Sequence, residues 1–92
     1  MQQPLLLFFT STRDGRSRRT EGFLAQVLQR RRNHDTFSVR FIAREEQPEL
    51  LTRFRIDQTP TIVVVEDKRV RGRLSAPRGC DEIQNFLAPW VQ

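Results

Sequence analysis

The sequence predicts an α/β domain in which three helices flank a four-stranded mixed sheet, in the order βαβαββα. Three observations lead to it. Leu5 to Phe9 are consecutive apolar residues ending in two phenylalanines, as expected of a central strand covered on both faces. Phe23, Leu24, Val27 and Leu28 then fall on one helical stripe, ahead of a segment that alternates. Thr61 to Glu66 and Arg69 to Leu74 are separated only by Asp67 and Lys68, the spacing of a tight hairpin.

Each element has its own local reason. The first strand spans Leu5 to Thr10. The first helix opens around Arg13-Asp14-Gly15-Arg16, carries its apolar stripe over Thr20 to Arg31 and ends near Asn33-His34-Asp35, where Arg30-Arg31-Arg32 complement the negative dipole end. Thr36 to Ile42 alternates Phe37, Val39 and Phe41 with polar positions and reads as a second strand, parallel to the first. The second helix starts near Pro48, whose missing N–H is harmless in a first turn. Glu46 and Glu49 suit its positive dipole end, and Leu50, Leu51 and Phe54 face inward. The hairpin strands are antiparallel, although glycine would be easier than Lys68 at the second turn position. Arg69, Arg71 and Arg73 alternate with Val70 and Leu74, which suits a charged face on a sheet edge. Gly79 or Ser75 precedes a final helix in which Ile83, Phe86, Leu87, Trp90 and Val91 recur at helical spacing. Pro89 makes its last turn irregular.

At 92 residues there is room for one core, so residues 1–92 are expected to form a single domain. No apolar run reaches the roughly 18 residues of a membrane span, and Leu5 to Phe9 is too short for a signal-peptide core. A cytoplasmic protein with no membrane partner is expected. The lone Cys80 cannot close an intrachain disulfide, so the fold must rest on packing. Net charge is +5, almost all from arginine, with Lys68 the only lysine. Such a surface aids encounters with nucleic acid, anionic membranes or acidic proteins and identifies none of them.

Glu46-Gln47-Pro48-Glu49-Leu50, followed by Phe54-Arg55-Ile56, Thr59-Pro60-Thr61 and the apolar Ile62 to Val65, resembles the second half of a thioredoxin. Taken with the element order, the resemblance covers essentially the whole chain. It implies the minimal thioredoxin fold, without the extra N-terminal strand and helix of full thioredoxins. It also implies a cis Thr59-Pro60 bond and backbone groups at Thr59 that pair with an extended substrate peptide.

The first half departs from that pattern. Where a thioredoxin carries Cys-Gly-Pro-Cys at the head of its first long helix, this chain reads Arg13-Asp14-Gly15-Arg16, which sets Arg13 and Arg16 at the cysteine positions. Thr12 stands in place of the usual tryptophan, and Leu7 in place of the buried carboxylate that helps move protons. Losing nucleophile, resolving thiol and proton acceptor together argues against oxidoreductase activity, and no cofactor is expected. The same helix opens amid Arg13, Arg16, Arg18 and Arg19, each an unfavourable charge near a positive dipole end by about 0.3 to 1 kcal/mol when exposed. Asp14 offsets part of this. A bound anion would reverse the sign, because free N–H groups and guanidinium forks would converge on it.

Other candidates are simpler. His34 has no second ligand at metal-binding spacing, so no metal is expected. Thr10, Ser11, Thr12 and Ser17 read as strand-end and capping hydroxyls. Cys80 falls in the first turn of the last helix, where the dipole favours a thiolate. Three function classes follow. The first is a redox-inactive binding module that holds a protein or acidic peptide at Arg13, Asp14, Gly15, Arg16, Thr59 and Pro60, with a small anion as a further ligand. The second is an atypical thiol or glutathione-linked redox protein using Cys80. The third is a basic nucleic-acid binder, although no stacking aromatics interleave with the arginines.

Overall fold

A computed structural model describes residues 3–30 and 35–91. The expected roles of His34, Arg31 and Arg32 lie outside the described residues. The elements are β1 (Leu5–Thr10), α1 (Gly15–Gln29), β2 (Ser38–Ala43), α2 (Pro48–Arg53), β3 (Thr61–Glu66), β4 (Arg69–Ser75) and α3 (Cys80–Leu87), followed by a 3₁₀ turn over Ala88–Trp90. Pro89 accounts for that turn, since its ring clashes with a continued α-helix.

The sheet order is β2-β1-β3-β4, with β1 parallel to β2 and antiparallel to β3, and β3 antiparallel to β4. Strand parity splits the core into two layers. Leu6, Phe8, Ile62 and Val64 meet Leu24 and Val27 of α1 and Ile83 and Leu87 of α3. Leu7, Phe9 and Val63 point the other way, onto Leu51 of α2 and Ile56. Both central strands are therefore covered on both faces, which is why they read as unbroken apolar runs.

Five local expectations are corrected. Helix α1 ends at Gln29, with Arg30 already extended at ψ 142°, and the Arg30 guanidinium donates to Gln84 Oε1 of α3 at 2.9 Å. It serves helix packing rather than the dipole. Strand β2 starts two residues late because Asp35, at φ 68°, and Thr36 form a turn. On that edge strand Phe41 stays 56% exposed, its ring edge-on to Phe8. On β4 the register shifts by one residue opposite Val64 and Val65, pairing Gly72 with Val64 and Val70 with Val65. A bulge of this kind breaks strict alternation. Val70 consequently shares a face with Arg73 and not with Leu74. Arg73 is no mere solvated charge either, since its guanidinium donates to the carbonyls of Phe54 and Arg55, at 2.9 and 3.2 Å, where α2 ends.

Candidate functional site

The head of α1 is built by Asp14. Its backbone is extended (φ −114°, ψ 115°), and its carboxylate accepts from the Arg16 N–H at 2.9 Å, an N-cap that satisfies one of the helix's unpaired donors. The second carboxylate oxygen accepts from two hydroxyls, Ser17 Oγ at 3.3 Å and Thr59 Oγ1 at 3.4 Å. Ser17 is fully buried and accepts in turn from the Ser11 N–H at 3.1 Å. Thr59 precedes Pro60 through a cis peptide bond, and the loop is held by the Ala76 N–H donating to the Pro60 carbonyl at 2.8 Å and by Thr61 Oγ1 donating to Gln58 at 2.7 Å.

This corrects the sequence register. The pair that meets the cis-proline loop is Asp14 and Ser17, while Arg13 and Arg16 are exposed. The same one-residue offset holds on β1: Leu7 faces α2, and the residue beneath α1 is Phe8, wholly buried. Among the described residues, the only buried polar side chains are Ser17, Thr20 and Thr61. Asp14, and not Ser11 or Ser17, caps α1: the Ser17 hydroxyl instead bridges the Ser11 N–H and the Asp14 carboxylate.

Sequence reasoning missed Glu45. Its carboxylate reaches back to the β1–α1 loop, accepting from Ser11 Oγ at 2.5 Å and from the Thr12 N–H at 3.1 Å. The Ser11 hydrogen bond, the Thr12 and Glu45 N–H groups and the nearby Arg13 charge hold its carboxyl below the ordinary glutamate range. Glu45 follows β2 directly, and β2 lies beside β1. Only that sheet pairing brings residues so distant in sequence together.

The four arginines separate. Arg13 lies toward Glu45, whereas Arg16 and Arg19 line a cavity of about 350 Å³ with Thr20, Phe23, Ala76, Pro77 and Arg78. Arg13 and Arg18 do not line it, so the expected four-arginine cluster is not a unit. Cys80 opens α3 facing the middle of α1, its Sγ 3.1 Å from Gln26 Oε1 and 3.7 Å from the Phe23 carbonyl. Among the described residues no group of three His, Cys, Asp or Glu could hold a metal ion, and no helix is long and apolar enough to cross a membrane.

A scan of family models found no match, and a search of curated proteins found none. Solved structures do match. Trxlp from Edwardsiella tarda superposes with a TM-score of 0.83 at 18% identity, covering 92% of this chain and 82% of that one. Desulfothioredoxin from Desulfovibrio vulgaris Hildenborough gives 0.81 at 20% identity, covering 96% and 82%. Mitochondrial thioredoxin 3 from Saccharomyces cerevisiae gives 0.80 at 16%, covering 97% and 80%. At these identities the likeness speaks for architecture alone. The chain has the thioredoxin fold, and with Cys80 as its single cysteine it has no Cys-x-x-Cys motif.

Proposed function

We propose that this protein is a redox-inactive, thioredoxin-fold binding module that holds an extended protein segment along Thr59 and Pro60. One observation carries the reading. Thr59 is half-buried, yet among the described residues neither its backbone N–H nor its C=O has a hydrogen-bond partner. Backbone polar groups of this kind are normally paired, and an added peptide strand is the usual way to pair a free N–H and C=O on one residue. Pro60 is buried behind them and Asp14 pins the Thr59 side chain, so the two groups are held in place before any partner arrives.

Chemistry is the weaker reading at this site. Thiol–disulfide exchange by the two-cysteine route needs an attacking and a resolving sulfur, and the helix head offers a carboxylate and a hydroxyl in their place. Cys80 is engaged with Gln26 on another part of α1. Arg13 and Arg16 are exposed at the head of α1 and favour acidic segments.

The test has two arms. Insulin disulfide reduction should stay at background in wild type and in Cys80→Ala alike; turnover that persists in both would overturn the redox-inactive reading. Titration with a pool of extended acidic decapeptides should protect the Thr59 amide from hydrogen exchange. If that amide exchanges equally with and without peptide while other residues shift, the groove is not the binding surface.

A further inference from the structure

The cavity between α1 and the β4–α3 loop is lined by three guanidinium-bearing residues, Arg16, Arg19 and Arg78, and by no carboxylate. Elsewhere Arg30, Arg44, Arg71 and Arg73 each have a partner, Gln84, the Asp57 carbonyl, Glu66 and the Phe54 and Arg55 carbonyls respectively, whereas the side chains of Arg18, Arg40, Arg53, Arg55 and Arg69 have none among the described residues. Among the described residues, none of the three guanidinium groups has an ion-pair or hydrogen-bond partner, although the Asp14 carboxylate accepts from the Arg16 N–H at 2.9 Å and the Glu82 carboxylate from the Arg78 N–H at 2.8 Å. A second, independent feature lies deeper. Thr20 is 2% exposed and lines the same cavity, and its hydroxyl has no hydrogen-bond partner among the described residues. A buried hydroxyl left unpaired is costly and uncommon, so a group that accepts from it is expected. The remaining lining, Phe23, Ala76 and Pro77, is apolar.

We infer that this cavity binds a small phosphomonoester, its phosphate held by Arg16, Arg19, Arg78 and the Thr20 hydroxyl, and its body lying on Phe23 and Pro77. A phosphate dianion matches the site better than a carboxylate, because three terminal oxygens can each accept from a planar guanidinium fork and two negative charges answer three positive ones. The volume is that of a small-molecule pocket rather than of a bare ion. The inference goes beyond peptide binding at Thr59 and does not depend on it. Neither Thr59 nor Pro60 lines the cavity, although Arg16 stands at the head of α1 beside both and the Ala76 N–H ties the loop of one to the Pro60 carbonyl of the other.

The experiment is a chemical-shift titration of the full chain with inorganic phosphate and with phenyl phosphate, against sodium chloride at matched ionic strength. Saturable shifts are expected at Arg16, Arg19, Thr20, Ala76 and Arg78, with phenyl phosphate binding more tightly. The Arg19→Ala, Arg78→Ala double variant should weaken both ligands by roughly tenfold or more. Thr20→Val, which keeps shape and loses only the hydroxyl, should weaken them by roughly threefold, with a ligand-free melting temperature equal to or above that of wild type. Arg53→Ala on α2 is the control for diffuse charge and should change nothing. The inference is overturned if the shifts do not saturate, if Arg53→Ala weakens binding as much as the cavity variants, or if Thr20→Val folds and binds like wild type. Failure of the peptide reading would show at the Thr59 amide with acidic peptide and leave this titration unaffected.

Discussion

The Asp14 carboxylate and the Thr59 hydroxyl meet at 3.4 Å, joining the head of α1 to the loop in front of β3 across 45 residues of sequence. The same carboxylate oxygen takes the buried Ser17 hydroxyl, and its neighbour caps the helix through Arg16. One side chain thus fixes both walls of the candidate groove.

Asp14→Ala should cost about 1 to 2 kcal/mol, the range for loss of an N-cap, because it also leaves the buried Ser17 hydroxyl without its acceptor. Asp14→Asn keeps an acceptor and should retain most of the stability. Urea unfolding of both variants checks this. Equal losses would mean that the negative charge, not the hydrogen-bond geometry, is what α1 requires.

Glu45 sets an acid dependence with a defined sign. Its folded pKa is depressed, so its contribution is fully present above the ordinary glutamate value of roughly 4.3 and is lost as pH falls through the lower folded value. Glu45→Gln removes that proton uptake. Between about pH 5 and about pH 3 the wild-type melting temperature should therefore fall more steeply than that of the variant. Parallel curves would show that the Ser11 and Thr12 bonds contribute nothing in solution.

The hairpin turn places Asp67 at φ 54° and Lys68 at φ 65°, both in the left-handed region that a two-residue type I′ turn requires. Lys68 holds that conformation at a steric cost glycine does not carry. Lys68→Gly should raise stability by about 1 kcal/mol, measured by chemical denaturation, with no change in the β3–β4 register.

Gly72 lies under the final helix, and a Cβ built there would stand 3.1 Å from the Phe86 ring and 3.8 Å from Trp90. Gly72→Leu should destabilise by about 1 to 3 kcal/mol through overpacking and shift the Phe86 and Trp90 ring resonances. A variant as stable as wild type would mean that the α3 end and its 3₁₀ turn swing away freely.

Leu5 to Phe9, the stripe of Phe23, Leu24, Val27 and Leu28, Pro48 at a helix start and the two-residue Asp67-Lys68 turn are local patterns from which the element order could be read, and the resemblance carried by Pro48-Glu49-Leu50, Phe54, Ile56 and Thr59-Pro60-Thr61 pointed to the thioredoxin fold. Periodicity reports which face of an element is buried, and short connections limit how neighbours pair. Other features were decided in three dimensions. The bulge opposite Val64 and Val65 reverses the expected face of Val70, and the edge position of β2 leaves Phe41 exposed. Asp14 and Ser17, rather than Arg13 and Arg16, meet the proline loop because the N-cap sets the rotation of α1, and a rotation of one residue turns a side chain by about 100°. Arg16 and Arg19 join Arg78, and Glu45 joins Ser11, by the packing of segments far apart in sequence. A motif records spacing along one element, whereas a site is the meeting of several, and where they meet depends on register and rotation that only the packed core sets.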